Sequence, residues 1–143
     1  MFGKELILGF KEVGLDEKSR IFLPKFTGVE QGDRISFVED SPSSLKLYNL
    51  MYMQQLISEI NKKCNPENKE KVQQLSDRLQ LLYYSYLATS KVDSHGRITI
   101  PQDIVNEYKF KDKIIVQGCG TNLTIFNSKD AYDSYVRKLK TTK

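Results

Sequence analysis

VDSHGRITIP (residues 92–101) and LDEKSRIFLP (residues 15–24) are two versions of one phrase. Each reads apolar residue, Asp, three residues, Arg, Ile, any residue, Leu or Ile, Pro. Asp16 corresponds to Asp93, Arg20 to Arg97, Ile21 to Ile98 and Pro24 to Pro101. The match continues downstream. DRISFV (33–38) resembles DKIIVQ (112–117), and LKLYN (45–49) resembles LTIFN (123–127). A helical pattern follows each copy, LMYMQQLISEINKK from Leu50 and SKDAYDSYVRKLK from Ser128. Internal self-similarity of this kind sets the architecture before any single element is read. The chain is a duplicated unit.

One unit reads strand, tight turn, strand, short connector, strand, turn, strand, helix. Apolar residues alternate in the strands, as in Ile21 and Leu23, Ile98 and Ile100, Leu45 and Leu47, and Leu123 and Ile125. The connector after Pro101, QDIVNEYKF, predicts one or two helical turns, whereas KFTGVEQG with its two glycines predicts something more irregular. Asn49 is a good cap for the helix that follows, with Leu50, Met53, Ile57 and Ile60 on one face. A longer helix lies between the copies. Asn65 and Pro66 suit its start, and Glu67 and Glu70 complement its dipole. Val72, Leu75, Leu79, Leu82 and Tyr86 form its apolar stripe. The expected organisation is therefore a first repeat with its trailing helix over 1–64, a connecting helix over 65–86, and a second repeat with a C-terminal helix over 87–143.

At 143 residues, 39% hydrophobic and 28% charged, the chain is a globular composition, not a disordered one. Its longest mostly apolar run, Leu79 to Ala88, is too short to span a bilayer and is broken by Gln80 and Ser85. The N-terminal MFGKELILGF lacks a secretory layout, so a cytosolic chain is expected. Two cysteines, Cys64 and Cys119, and one histidine supply fewer N and S ligands than a zinc site takes, so no metal and no cofactor are expected. The 22 Lys and Arg against 18 acids give +4, a mild excess that suits a nucleic-acid partner without requiring one.

The chemistry of the repeated turn admits two readings. Asp at the first position of a type I turn accepts backbone N–H bonds, and Gly96 at the fourth tolerates the left-handed bulge of a hairpin; Ser19 takes that place in the first copy, at some cost in strain if its φ is positive. In one reading Asp16–Arg20 and Asp93–Arg97 are structural ion pairs that brace tight hairpins. In the other, the tips present Arg20 and Arg97 to DNA, because a guanidinium fork grips a guanine edge or a phosphate with two bonds and a two-stranded ribbon fits the major groove. Lys11, Lys18, Lys25, Lys91 and His95 lie near the tips and would reach phosphates, while Asp16 and Asp93 would hold the arginines in place.

Other residues attract less. Asp133 and Arg137 repeat the spacing, but inside a helical stretch, where it is an i,i+4 pair. His95 has only turn neighbours, and no acid–base set converges on it, so no enzyme is expected. Cys119 in GCG reads as a free thiol in a turn. Tyr83, Tyr84 and Tyr86 suggest aromatic packing at the change from helix to strand, and KLKTTK suggests a frayed basic tail.

DEKSRIFLP and DSHGRITIP resemble the paired Asp-x-x-x-Arg motifs of the MraZ family of bacterial transcription regulators, within the wider AbrB-like superfamily. The resemblance covers nearly the whole chain. It implies an α+β fold in which two AbrB-like half-units form a swapped-hairpin double-split β-barrel with flanking helices. It implies self-association into a closed ring, commonly an octamer. It also implies sequence-specific binding to short direct repeats in promoter DNA, in the cytoplasm and on the nucleoid, commonly as a repressor of its own operon. Asp16 and Arg20 match the first motif, Asp93 and Arg97 the second. The chain departs from the pattern at Ser19, where Gly or Asn is usual. It departs again at Gly28 and Val105, where the family often carries a further arginine, and in KEVG ahead of Leu15. Apolar helix residues such as Leu50, Met53 and Tyr83 are the expected contacts between ring subunits, with part of those faces packing on the chain's own sheet. Two alternatives stand beside this: an AbrB-like antitoxin-type regulator, against which the repeat-matching C-terminal helix speaks, and a ring-forming scaffold that binds no DNA.

Overall fold

The computed structural model describes residues 6–63 and 69–141. The first unit runs β1 (Phe10–Gly14), β2 (Arg20–Phe22), a 3-10 turn (Lys25–Thr27), β3 (Arg34–Ser41), β4 (Ser44–Asn49) and α1 (Leu50–Lys63). After α2 (Lys69–Ser85) the second unit repeats the order: β5 (Tyr86–Lys91), β6 (Arg97–Thr99), α3 (Gln102–Glu107), β7 (Lys113–Gly118), β8 (Leu123–Phe126) and α4 (Lys129–Thr141). The duplication read from the motifs is thus a duplication of structure. The connectors differ as their glycine content suggests, a 3-10 turn in one copy and α3 in the other.

The result is a mixed α+β fold on an antiparallel sheet. Six strands lie in the order β1-β7-β8-β4-β3-β5, and β2 pairs with β6 in a separate two-stranded ribbon. The order is symmetric about the β8–β4 seam, and each unit lends its first strand to the other: β1 pairs with β7, and β5 pairs with β3. β1 and β5 remain as edges, so the six-stranded sheet is open and not a closed barrel.

The two units share a single core. Ile21, Ile35, Phe37, Leu45 and Leu47 from the first unit are buried in one cluster with Ile98, Ile100, Ile114, Val116 and Ile125 from the second. In the ribbon the alternation read from sequence is kept, with Ile21 opposite Ile98 on the core side and Phe22 exposed. In β3 it gives way to a continuous buried run, Ile35 to Val38, because α1 and α2 cover the second face of that strand. β8 is buried throughout for the same reason: Tyr132 and Tyr135 of α4 pack their rings 5.4 and 5.5 Å from Phe126. α1 and α2 share a smaller cluster of Ile60, Leu75 and Leu79, with Leu56 and Ile57 against it. β7 closes against the N-terminal segment at Gly118, where a Cβ would stand 2.7 Å from the Ile7 carbonyl oxygen; only glycine allows that approach.

Asn49 caps α1 as expected, its Oδ1 accepting the Met51 N–H at 2.9 Å. The proposed cap residues of α2, Asn65, Pro66 and Glu67, lie outside the described residues, as does Cys64. Three expectations need correction. Tyr86 does not belong to the α2 stripe but opens β5, because the helix ends at Ser85 with no loop between. Tyr83 and Tyr84 do not pack; they are 56% and 82% exposed. The expected tail KLKTTK is not frayed over Lys138–Thr141, which continue α4. In α4, Arg137 Nε donates to the Asp133 carbonyl at 3.4 Å, and the two side chains make no ion pair among the described residues. No helix of the described residues is long and apolar enough to cross a membrane.

Candidate nucleic-acid interface

Each Asp-x-x-x-Arg turn is a clamp built by its aspartate. Asp16 Oδ1 accepts the N–H groups of Lys18 and Arg20, both at 2.9 Å, and Oδ2 accepts Arg20 Nε at 2.8 Å. Asp93 does the same for the N–H groups of His95 and Arg97, with Arg97 Nε at 2.8 Å. The fourth residue is left-handed in both copies, Gly96 at φ 79° and Ser19 at φ 60°. A serine there bears strain that glycine does not. In compensation Ser19 is buried, and its hydroxyl meets Gln102 Oε1 of the other unit at 3.0 Å.

The two turns are fastened to one another. Ile100 N–H donates to the Ser19 carbonyl at 2.7 Å, and Leu23 N–H to the Gly96 carbonyl at 3.1 Å. Between these bonds runs the β2–β6 ladder, with Arg20 opposite Thr99 and Phe22 opposite Arg97. Side chains alternate across a strand. With Ile21 and Ile98 facing the core, the outer face of the ribbon therefore carries Arg20, Phe22, Arg97 and Thr99. The arginines are half-buried, with side-chain exposures of 27% for Arg20 and 19% for Arg97. They are neither sealed in the core nor loose in solvent.

The faces of the two copies are not equivalent. Arg97 lies over the Phe22 ring, Cζ to centroid 5.6 Å, and its Nη2 is 3.5 Å from His95 Nδ1. Arg20 faces Thr99 instead. Of the flanking residues, Lys11, Lys25 and His95 come together around a cleft of about 380 Å³ that also includes Phe22 and Gly96. Lys18 stands on the first turn, outside that cleft, and Lys91 lies on β5 opposite Arg34. Phe22 is the contributor that motif reading missed. The alternation Arg20, Phe22 in RIFLP was the available signal for it. Among the described residues no three His, Cys, Asp or Glu side chains gather as a metal group.

Both aspartates are held below the usual carboxylate value of 3.8, first by the N–H of the arginine four residues on and then by the other bonds of the clamp, against some desolvation. The sign follows. A carboxyl depressed on folding contributes stability at pH above its unfolded value and loses it as pH falls through the lower folded value. Asp16→Asn and Asp93→Asn are expected to lower the urea midpoint at neutral pH and to flatten the acid limb. Wild type and variants should converge toward about pH 2, below the carboxylate range. Parallel curves across that range would mean that the clamps do not couple to folding.

No family model matches the chain, and no curated protein matches it. Among solved structures it is similar to the solution structure of PHS018 from Pyrococcus horikoshii, with 15% identity, a TM-score of 0.35, and coverage of 85% of this chain and 88% of that one. A likeness at that level speaks neither to family nor to function.

Proposed function

We propose that this chain is a sequence-specific DNA-binding transcription regulator of the MraZ type, acting by binding and not by catalysis. The observation that carries the reading is the outer face of the β2–β6 ribbon, which Arg20 and Arg97 share diagonally across the ladder, each gripped through Nε by its own aspartate. A guanidinium tethered at Nε leaves terminal nitrogens for a guanine edge or a phosphate, both of them in Arg20 and Nη1 in Arg97, whose Nη2 meets His95, and loses less rotamer freedom on binding. The structural-brace reading accounts for the aspartates but not for an outer face made of two cations, an exposed phenylalanine and a threonine. Lys11, Lys25 and His95 beside the ribbon, with Lys18 on the first turn, suit phosphates flanking the groove.

The finer architecture belongs to the same proposal. The exchange of β1 and β5 between units is what a swapped-hairpin double-split barrel would need, and the symmetric strand order supports it. Self-association into a ring, commonly of eight, is supported by the free edges β1 and β5 and by the exposed Leu81, Tyr83 and Tyr84. Edges at opposite ends of one sheet favour head-to-tail contact, which closes into a ring when the rotation allows. Those same exposed residues also favour the second reading, a ring-forming scaffold without DNA. On the leading reading the protein works on the nucleoid in the cytoplasm.

A DNA-shift titration over a range of salt separates the two. Binding through Z phosphates gives a log–log slope near about −0.9Z. A measurable slope with promoter repeats, and weaker binding to scrambled duplex, is the expected result. Failure to bind duplex at low salt would leave the scaffold reading.

A further inference from the structure

Phe22 breaks the symmetry of the ribbon. RIFLP carries it two residues after the motif arginine, where RITIP carries Thr99. A single exposed apolar side chain means little by itself. The place of this one means more. It is 57% exposed, yet the residues on both sides of it, Ile21 and Leu23, are buried. Ile21 is held in the ladder against Ile98, and Leu23 N–H is bonded to the Gly96 carbonyl at 3.1 Å. The backbone is thus fixed from both sides, and the ring stays on the outer face. Directly opposite stands Arg97, with its Cζ 5.6 Å from the ring centroid. Lys11, Lys25 and His95 border the same cleft as Phe22, so a strand whose phosphates they hold passes beside the ring.

A phenyl ring on such a face has one partner in a duplex. In the major groove the base edges offer hydrogen-bond donors and acceptors, and the apolar exception is the 5-methyl group of thymine. The faces of the bases, on which a ring could stack, are covered by their neighbours in the duplex. A phosphate or a guanine edge gains nothing from contact with a hydrocarbon. The spacing also suits a neighbouring base. Directly opposed side chains in a ladder stand roughly 5 Å apart, and successive bases along a strand roughly 3.4 Å apart.

We propose that Phe22 is a specificity-determining residue, which packs on the methyl group of a thymine within about two base pairs of the guanine gripped by Arg97. This role rests on the DNA-binding reading above and makes it more specific. Thr99, opposite Arg20, offers one methyl group on a shorter side chain, so the preference for thymine beside Arg20 is weaker.

The test is selection of duplexes from a pool with a random core, using the full chain as wild type and as Phe22→Ala. The best duplex is then titrated with its thymine replaced by uracil, which removes the 5-methyl group and nothing else. Wild type should enrich thymine beside guanine. Phe22→Ala should keep the guanine and lose the thymine. Uracil should weaken wild-type binding about fourfold, the value of burying one methyl group, and leave Phe22→Ala unchanged. The uracil arm separates this role from mere confinement of Arg97 by the ring, which a thymine methyl group does not affect. Because that arm uses wild type, it decides even if the variant folds poorly. Guanine enriched without thymine, a thymine preference that persists in Phe22→Ala, or wild-type binding indifferent to uracil would each overturn the role of Phe22 and leave the DNA-binding reading standing. Enrichment of no sequence by wild type would remove that reading, and the role of Phe22 with it.

Discussion

Arg97→Gln is expected to weaken binding to promoter-repeat DNA by about 5- to 150-fold, the loss of roughly 1–3 kcal/mol from one guanidinium–guanine grip. Arg20→Gln should cost less, although the two residues occupy the same place in the two repeats. The asymmetry has a physical source. Arg97 is held on three sides, by Asp93, by the Phe22 ring and by His95, whereas Arg20 is tied to Asp16 and faces Thr99. A side chain already confined loses less entropy when it docks, so more of its contact energy appears as affinity. Phe22→Ala should therefore bring the two arginine variants closer together, by loosening Arg97 without removing it. Electrophoretic shift titrations at one salt concentration measure this, with sizing to show that assembly is unchanged. Equal affinity of Arg97→Gln and wild type would refute the ribbon as the reading head.

The repeat was legible because it is written in residue types that have few alternatives. Asp, a left-handed fourth position, Arg and alternating Ile specify a hairpin, and two copies specify two. Element order, the caps at Asn49 and the clamps followed from that. What strand alternation could not supply was partnership. Nothing in the FKEVG of β1 says that it pairs with KIIVQG of the other unit, since strand pairing is a matter of which hydrophobic faces meet, and both units offer the same faces. The role of Phe22 was hidden for a related reason. It lies between two core residues in sequence, and only the ribbon register sets it beneath Arg97. Tyr83 and Tyr84 looked like packing residues because aromatics mostly are; their exposure is a property of where α2 ends, which sequence left open.

Phe37→Ala should unfold the chain as a whole, not its first half alone. Phe37 is fully buried at the middle of β3, opposite Leu47 of β4 in its own unit and opposite Ala88 of β5 in the other. Deleting a buried aromatic ring typically costs about 3–5 kcal/mol. That is a large share of the roughly 5–15 kcal/mol that holds a domain of this kind together. The direction of the damage matters more than its size. If each unit had its own core, the second would survive the substitution. Here β3 is the strand on which β5 depends for all its ladder bonds, β5 leads into the Asp93 clamp, and the clamp's ribbon strand β6 is bonded to β2 of the first unit. Loosening β3 therefore propagates around the chain and back to its own unit. Urea unfolding followed by circular dichroism and by tyrosine fluorescence should give one coincident transition in both proteins, shifted to lower urea in the variant. Two separated transitions in either protein would show that the units fold independently and that the exchanged strands are not what joins them.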